Sequence, residues 1–256
     1  METRVYDIKG KEKGKVSLPT QFSEPVRVDL IRRGFLAFNS KNKQAYGADP
    51  EAGTRQGKAT PKRRGKYGTT YGHGISRVKR KTLSSSGIRF YRMAAFIANA
   101  VGGRKAHPPK SIKKYAENIN KKEKRKIIRS AISATHFDDY PLIIEDKLES
   151  LSKTKDVNEL LSSLKLSEIV NSGKSRKVKK GKGKKRGRRY KSKKSILFVV
   201  SKPCSLMKSA RNIAGSDVST VRNLNMNILA PGGNPGRVTV WSKAAIESLE
   251  KDKLYL

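Results

Sequence analysis

The 256 residues carry 59 Lys and Arg against 21 Asp and Glu, a formal net charge of +38. Such an excess repels itself in a compact chain, so the sequence predicts a polyanionic partner, and nucleic acid with its charge on every phosphate fits that role. A membrane is not expected: no apolar run approaches spanning length, no lipid signal is found, and Met1 to Arg4 opens without an apolar leader. A small acidic substrate would not need dozens of cations. Apolar residues make up 35%, below the roughly 45–50% of ordinary domains, so part of the chain is expected to lie outside any core. Cys204 is the single cysteine; it cannot form an internal disulfide, which fits a reducing cytoplasm, and it reads as a small buried hydrophobe.

From the start of the chain, Val5 to Ile8 predicts a short strand, with a turn around Gly10 to Gly14. Val16 to Pro19 predicts a second extended piece. Leu30, Ile31, Phe35 and Phe38 recur at helical spacing with Arg32 and Arg33 on another side, predicting an amphipathic helix from about Val26 to Asn42. Composition then changes. Residues 52–116 hold 17 Lys or Arg and no acid, with a Gly-rich first part and Tyr67 and Tyr71 among the cations. No apolar period appears before Ile88, so residues 51–103 are expected to be a long basic non-globular loop that orders only against RNA. Run out and back as a hairpin, it would reach about 65 Å with roughly 20 residues per arm. Ile88 to Val101, Ala-rich and ending at Gly102-Gly103, predicts a helix. Beyond His107-Pro108-Pro109, a long helix is expected from Ile112 to Ile132, with Lys113, Lys114, Lys121, Lys122, Lys124 and Arg125 on its polar face.

From Asp138 onward strands and helices alternate. Strands are expected at Pro141–Glu145, Ser195–Ser201, Val218–Val221 and Arg237–Ser242. Helices are expected around Val157–Leu164, Leu206–Ile213, Met226–Leu229 and Ala244–Leu249. This alternation predicts an α/β fold, an open, mostly parallel sheet with helices on both faces. The globular body comprises residues 1–50 and 104–256. A second basic loop, Gly173 to Lys194, holds 14 Lys or Arg in 22 residues without an acid and sits on the sheet's rim.

A basic α/β sheet also suits a nucleic-acid-modifying enzyme, the alternative class. The turn after the first strand, Gly10-Lys11-Glu12-Lys13-Gly14, lacks the Gly-x-Gly-x-x-Gly spacing a dinucleotide needs. Gly68 to Gly74 lacks the Gly-Lys-Ser/Thr ending of a phosphate loop. His73, His107 and His136 are far apart, with only Asp138 and Asp139 near His136, so no metal site is expected. Nothing pairs Cys204 or a serine with a base. No enzyme activity and no cofactor are therefore expected. RNA-binding chemistry is present instead. Lys and Arg meet phosphates, Arg bidentately, and Tyr67, Tyr71 and Tyr190 can stack on unpaired bases. The candidate contacts in the first segment are Arg55, Lys58, Lys62, Arg63, Arg64, Lys66, Tyr67, Tyr71, His73, Arg77, Lys79, Arg80, Lys81, Arg89, Arg92, Arg104 and Lys105. In the second they are Lys184, Lys185, Arg186, Arg188, Arg189 and Tyr190.

The run Gly53 to Gly68 (GTRQGKATPKRRGKYG) resembles the long loop of universal family four of the large-subunit ribosomal proteins. Gly72 to Arg77 (GHGISR) and Gly102 to Pro109 (GGRKAHPP) are similar to it too. So are Ala210 to Gly215 (ARNIAG), Val221 to Asn225 (VRNLN) and Leu229 to Gly233 (LAPGG). The resemblance covers nearly the whole chain, in the family's order, and fits the archaeal and eukaryotic branch best; with the chain ending soon after its last helix, without the long basic tail of eukaryotic members, an archaeal source is expected. It implies a structural constituent of the large ribosomal subunit in the cytoplasm. The globular part would contact the major (23S-type) ribosomal RNA on the subunit surface, beside neighbouring large-subunit proteins, and no homo-oligomer is expected. The long loop would line the nascent-peptide exit tunnel. Arg63, Arg64, Gly65, Lys66, Tyr67, Gly68 and Tyr71 would lie nearest its tip, within reach of the nascent peptide.

Overall fold

The computed structural model describes residues 2–55, 61–136 and 140–256. Among the positions named above, Met1, Lys58, Asp138 and Asp139 lie outside the described residues. The chain packs as two units, Met1–Asn42 with Ala116–Leu256, and Lys43–Tyr115.

The first unit opens with a hairpin of β1 (Glu2–Tyr6) and β2 (Glu12–Ser17), paired antiparallel. Helix α1 (Val28–Lys41) follows, and Ile31, Gly34 and Ala37 form its buried stripe. The second unit holds β3 (Arg80–Ser86) and β4 (Arg89–Ala94), an antiparallel pair. Here the expected helix over Ile88–Val101 is corrected to a strand over Arg89–Ala94 followed by bends and turns. Exposed and half-buried residues alternate along Arg89–Ala94, and the aromatic run Phe90-Tyr91 suits a pleated surface. Cross-strand pairing with β3 overrides the helix propensity of the alanines, which is a weak prior.

Back in the first unit, α2 (Lys121–Ser133) buries Ile127, Ile128, Ala131 and Ile132. The helix expected from Ile112 begins nine residues later. Ile112 is 87% exposed, and helical turns with no apolar layer to cover them gain little from packing. Then come β5 (Leu142–Ile144), α3 (Thr154–Ser163) and α4 (Ser167–Lys174). The second basic segment follows as a hairpin, β6 (Arg176–Val178) and β7 (Tyr190–Ser192), rather than an unpaired loop. The chain closes with β8 (Leu197–Val200), α5 (Leu206–Arg211), β9 (Asp217–Thr220), α6 (Met226–Leu229), β10 (Thr239–Ser242) and α7 (Lys243–Lys251). Two caps fix late helix starts. The Asn225 side chain accepts from the Ile228 N–H, and Ser242 accepts from the Ala245 N–H, both at 3.2 Å.

The main sheet has six strands in the order β2-β1-β5-β10-β8-β9. All neighbours are parallel except the edge pair β1–β2. Strand alternation sends side chains to two cores. Ile143, Leu197, Val199 and Trp241 pack with Ile31 of α1, Ile127 of α2 and Ile246 of α7. Leu142, Ile144, Phe198, Val200 and Val240 pack with Leu160 of α3, Val170 of α4 and Leu206 of α5. Helices therefore cover both faces, which is why the central strands read as continuous apolar runs.

Candidate nucleic-acid interface

Within Lys43–Tyr115, the β3–β4 hairpin supports the glycine-rich stretch before it. The Tyr67 hydroxyl donates to the Gly87 carbonyl at 2.6 Å, and its ring meets Phe90 edge-on at 5.2 Å. Gly68, at φ +69°, brings the chain close to the hairpin; a Cβ there would lie 3.2 Å from Arg92 and 3.5 Å from Phe90. Tyr67 is nevertheless 70% exposed, leaving ring surface for stacking. Arg64 donates to the Tyr71 hydroxyl at 3.2 Å and sits 5.2 Å from its ring centroid. Lys62 donates to the Ile75 carbonyl at 3.1 Å, and the Thr70 N–H donates to Pro61 at 3.3 Å, closing residues 61–75 on themselves. Arg63, Lys66 and the glycine between Arg64 and Lys66 are exposed.

The other candidates of this segment divide by what holds them. His73, Arg77, Arg89 and Lys105 are exposed. Arg80 donates to Ser76 and Val78 carbonyls at 2.6 and 3.1 Å, and its head is committed to shaping that turn. Arg92 lies over Phe90 at 4.4 Å; Lys79 and Arg104 lie over Phe96 at 4.5 and 6.0 Å. Lys81 is half-buried, near Gly102. Arg55 is ion-paired with Asp49 at 2.5 Å and Glu51 at 3.0 Å, so an RNA phosphate would have to compete with two carboxylates for it.

The β6–β7 hairpin gathers the second set. Lys184, Lys185, Arg186, Arg188, Arg189 and Tyr190 are all exposed, and Arg189 lies 5.7 Å from the Tyr190 ring. Gly187 at φ +74° ends the 3-10 turn over Lys182–Arg186 and turns the chain into β7. Among the described residues, none of the cations from Arg176 to Lys193 has a carboxylate in ion-pair range. The root of the hairpin is held firmly. Lys194 pairs with Asp217 at 2.8 Å, and the buried Arg237 pairs with Asp217 at 2.8 Å. Arg237 also donates to the carbonyls of Ser195, Ile228, Ile196 and Gly215. Burial alone would raise the Asp217 carboxyl, but Lys194 and Arg237 outweigh it and hold the group below its ordinary value.

Sequence reasoning left out Tyr46 and Tyr115, whose rings are parallel with centroids 5.9 Å apart and Lys43 4.4 Å from the Tyr115 ring. Tyr46 precedes the acid-free segment and Tyr115 lies at its far end, which was the available signal. Among the described residues, no group of three His, Cys, Asp or Glu could hold a metal ion. No described helix is long and apolar enough to cross a membrane. Burial and Glu149 push the Cys204 thiol up, keeping it protonated and poor as a nucleophile. In open α/β sheets ligands bind beyond the carboxyl ends of the strands. Here Glu149 occupies that place, accepting from the Ser201 N–H and hydroxyl and the Ser242 hydroxyl at 2.7–3.0 Å. A carboxylate spent on the protein's own strand ends is architecture.

The sheet and its cationic hairpins define a polyanion-binding α/β protein whose conspicuous surface is charge. The chain belongs to the ribosomal protein L4/L1 family, whose pattern it matches over residues 16–252, a family of structural proteins rather than enzymes. It is 45% identical to the large ribosomal subunit protein uL4 of Nanoarchaeum equitans, covering 100% of both chains. It is 40% identical to that of Archaeoglobus fulgidus, covering 97% of this chain and 98% of the relative. With that of Methanocaldococcus jannaschii the identity is 39%, over 98% and 99%.

Proposed function

We propose that this chain is a structural protein of the large ribosomal subunit, of archaeal type, that binds the subunit's major RNA in the cytoplasm. The observation that carries the proposal is residues 173–194, with 14 Lys or Arg and no acid, folded as a hairpin whose cations from Lys184 to Arg189 face solvent. Phosphates supply the missing counter-charge, and displaced counterions make the association favourable. The Gly-rich segment carrying Arg63, Arg64, Lys66, Tyr67 and Tyr71 serves as the second contact. Its tip lies at the exit-tunnel wall, where the nascent peptide passes. The exposed ring of Tyr67 and the exposed Tyr190 stack on unpaired bases. The protein enters the subunit as one copy, beside other large-subunit proteins.

The test is binding to transcribed large-subunit ribosomal RNA across a salt series. Each neutralised phosphate contributes about −0.7 to −0.9 to the log–log slope, so several contacts give a steep fall. A flat response, or equal affinity for DNA duplex of matched charge, would reject the reading, as would failure to sediment with the large subunit at moderate salt.

A further inference from the structure

We infer that the groove beside the stacked Tyr46–Tyr115 pair is a binding site for one unpaired nucleotide of RNA, base on the aromatic pair and phosphate among the surrounding lysines. The inference rests on the RNA-binding reading above and assigns to it a site outside both cationic hairpins. The groove is open, about 900 Å³, and bordered by Lys43, Lys105, Lys110, Lys113 and the two tyrosines, with no carboxylate among its lining residues.

Several observations converge. The two rings stack 5° from parallel with centroids 5.9 Å apart, so each turns one face toward its partner and the pair can be extended by a base on an outer face. Tyr46 is 55% exposed, and the neighbouring Ile112 is 87% exposed, so apolar area suited to a base lies uncovered. Lys43 and Lys113 sit 4.4 and 5.7 Å from the Tyr115 centroid, placing positive charge next to the rings and not across the protein. The platform is built on fixed backbone. The Ala48 N–H donates to the Pro109 carbonyl at 2.9 Å, and a Cβ on Gly47 would come within 2.9 Å of the Ser111 nitrogen. The two arms bearing the tyrosines are thus clamped together without the rings' help. Aromatic faces with cations alongside bind single-stranded nucleic acid with little regard to sequence, because every base has a π-face. A duplex offers the same phosphates but keeps its bases stacked internally, so it cannot use the platform. That difference separates this site from the phosphate-dominated hairpins.

The experiment uses the full chain and single-stranded RNA carrying 5-iodouridine, whose photo-cross-links report bases stacked on aromatic rings. Cross-links mapped by mass spectrometry to Tyr46 or Tyr115 are expected. The double variant Y46L/Y115L is expected to bind the single strand about tenfold more weakly while binding a duplex of equal phosphate number unchanged. Y46F/Y115F, which keeps the rings, should restore parent affinity. The inference is overturned if cross-links fall only elsewhere, or if single strand and duplex weaken together. It is overturned equally if the leucine variant loses thermal stability without any strand-selective loss, which would make the pair a structural clasp. In each of these cases the parent's salt-dependent binding to ribosomal RNA still stands; loss of that binding in the parent would instead remove the RNA-binding reading itself.

Discussion

At the scale of single residues, the firmest statements concern the root of the second hairpin. Gly173 is buried at the end of α4, where a Cβ would collide with the Ala214 carbonyl oxygen. Helix propensity favours alanine over glycine by about 1 kcal/mol, yet backbone cannot yield as a side-chain tip can. Gly173→Ala is therefore expected to destabilise by about 1–3 kcal/mol, measured by urea unfolding; a stabilised variant would show that the loop after α5 gives way freely. Asp217 supplies a pH signature. Its carboxyl is half-buried, which by itself raises its pKa, but Lys194 and Arg237 hold the net value below that of a free carboxylate. A lowered folded-state pKa means a stabilising contribution that is complete above the unfolded value of about 3.9 and is lost as pH falls through the lower folded value. Stability should thus fall on acidification below about pH 4, and Asp217→Asn should flatten that limb while lowering stability at neutral pH. An unchanged acid limb in the variant would assign it to other carboxylates.

At the scale of elements, the β6–β7 hairpin and the sheet are separable in energy. None of the residues from Arg176 to Ser192 belongs to either core. Val178 pairs with Tyr190, so the tip between them can be replaced by a two-residue Asn-Gly turn, the type that suits tight hairpins. This removes eight Lys and Arg. The unfolding free energy is expected to stay within about 0.5 kcal/mol of the parent, while the salt slope for RNA becomes visibly shallower. Unchanged RNA binding would show that the hairpin contributes no phosphate contacts. The pairing of this segment was not legible in the sequence. A run of like charge shows no apolar period, and only the facing of Arg176–Val178 with Tyr190–Ser192 reveals the strands. The same limit explains the segment from Ile88 to Val101. Its alanines carry helix propensity, but the partner strand that decides the matter, Arg80–Ser86, is mostly polar and gave no periodic signal.

At the scale of the whole molecule, charge and core are distributed to different stretches of chain. Residues 43–115 carry 18 Lys or Arg against two acids, and the described residues among them contribute nothing to either hydrophobic core cluster. In the body, the Glu117 N–H donates to the Ser40 hydroxyl at 2.9 Å, so the chain leaves and re-enters at adjacent points. Joining residues 1–42 to 116–256 through a short Gly-Ser linker should then leave a body that unfolds cooperatively, with weaker RNA binding. Loss of the cooperative transition would mean that the excised segment belongs to the fold after all.

The sequence by itself determined the α/β class, the positions of most body strands and helices though not of α4 or the β6–β7 hairpin, and the chemistry of the partner. Period and composition are local properties: Leu197 to Val200 is apolar throughout because both faces are covered, and an acid-free cationic run states its own need for phosphate. Only the tertiary structure decided that Arg55 is already paired with Asp49 and Glu51, that Arg237 is spent on five protein acceptors, and that Tyr46 and Tyr115 lie side by side. The Arg237 and Tyr46–Tyr115 contacts join residues mostly tens of positions apart, and no short-range pattern records a meeting of that kind; the acids of Arg55 lie close in the chain, but only the local fold turns them onto its guanidinium.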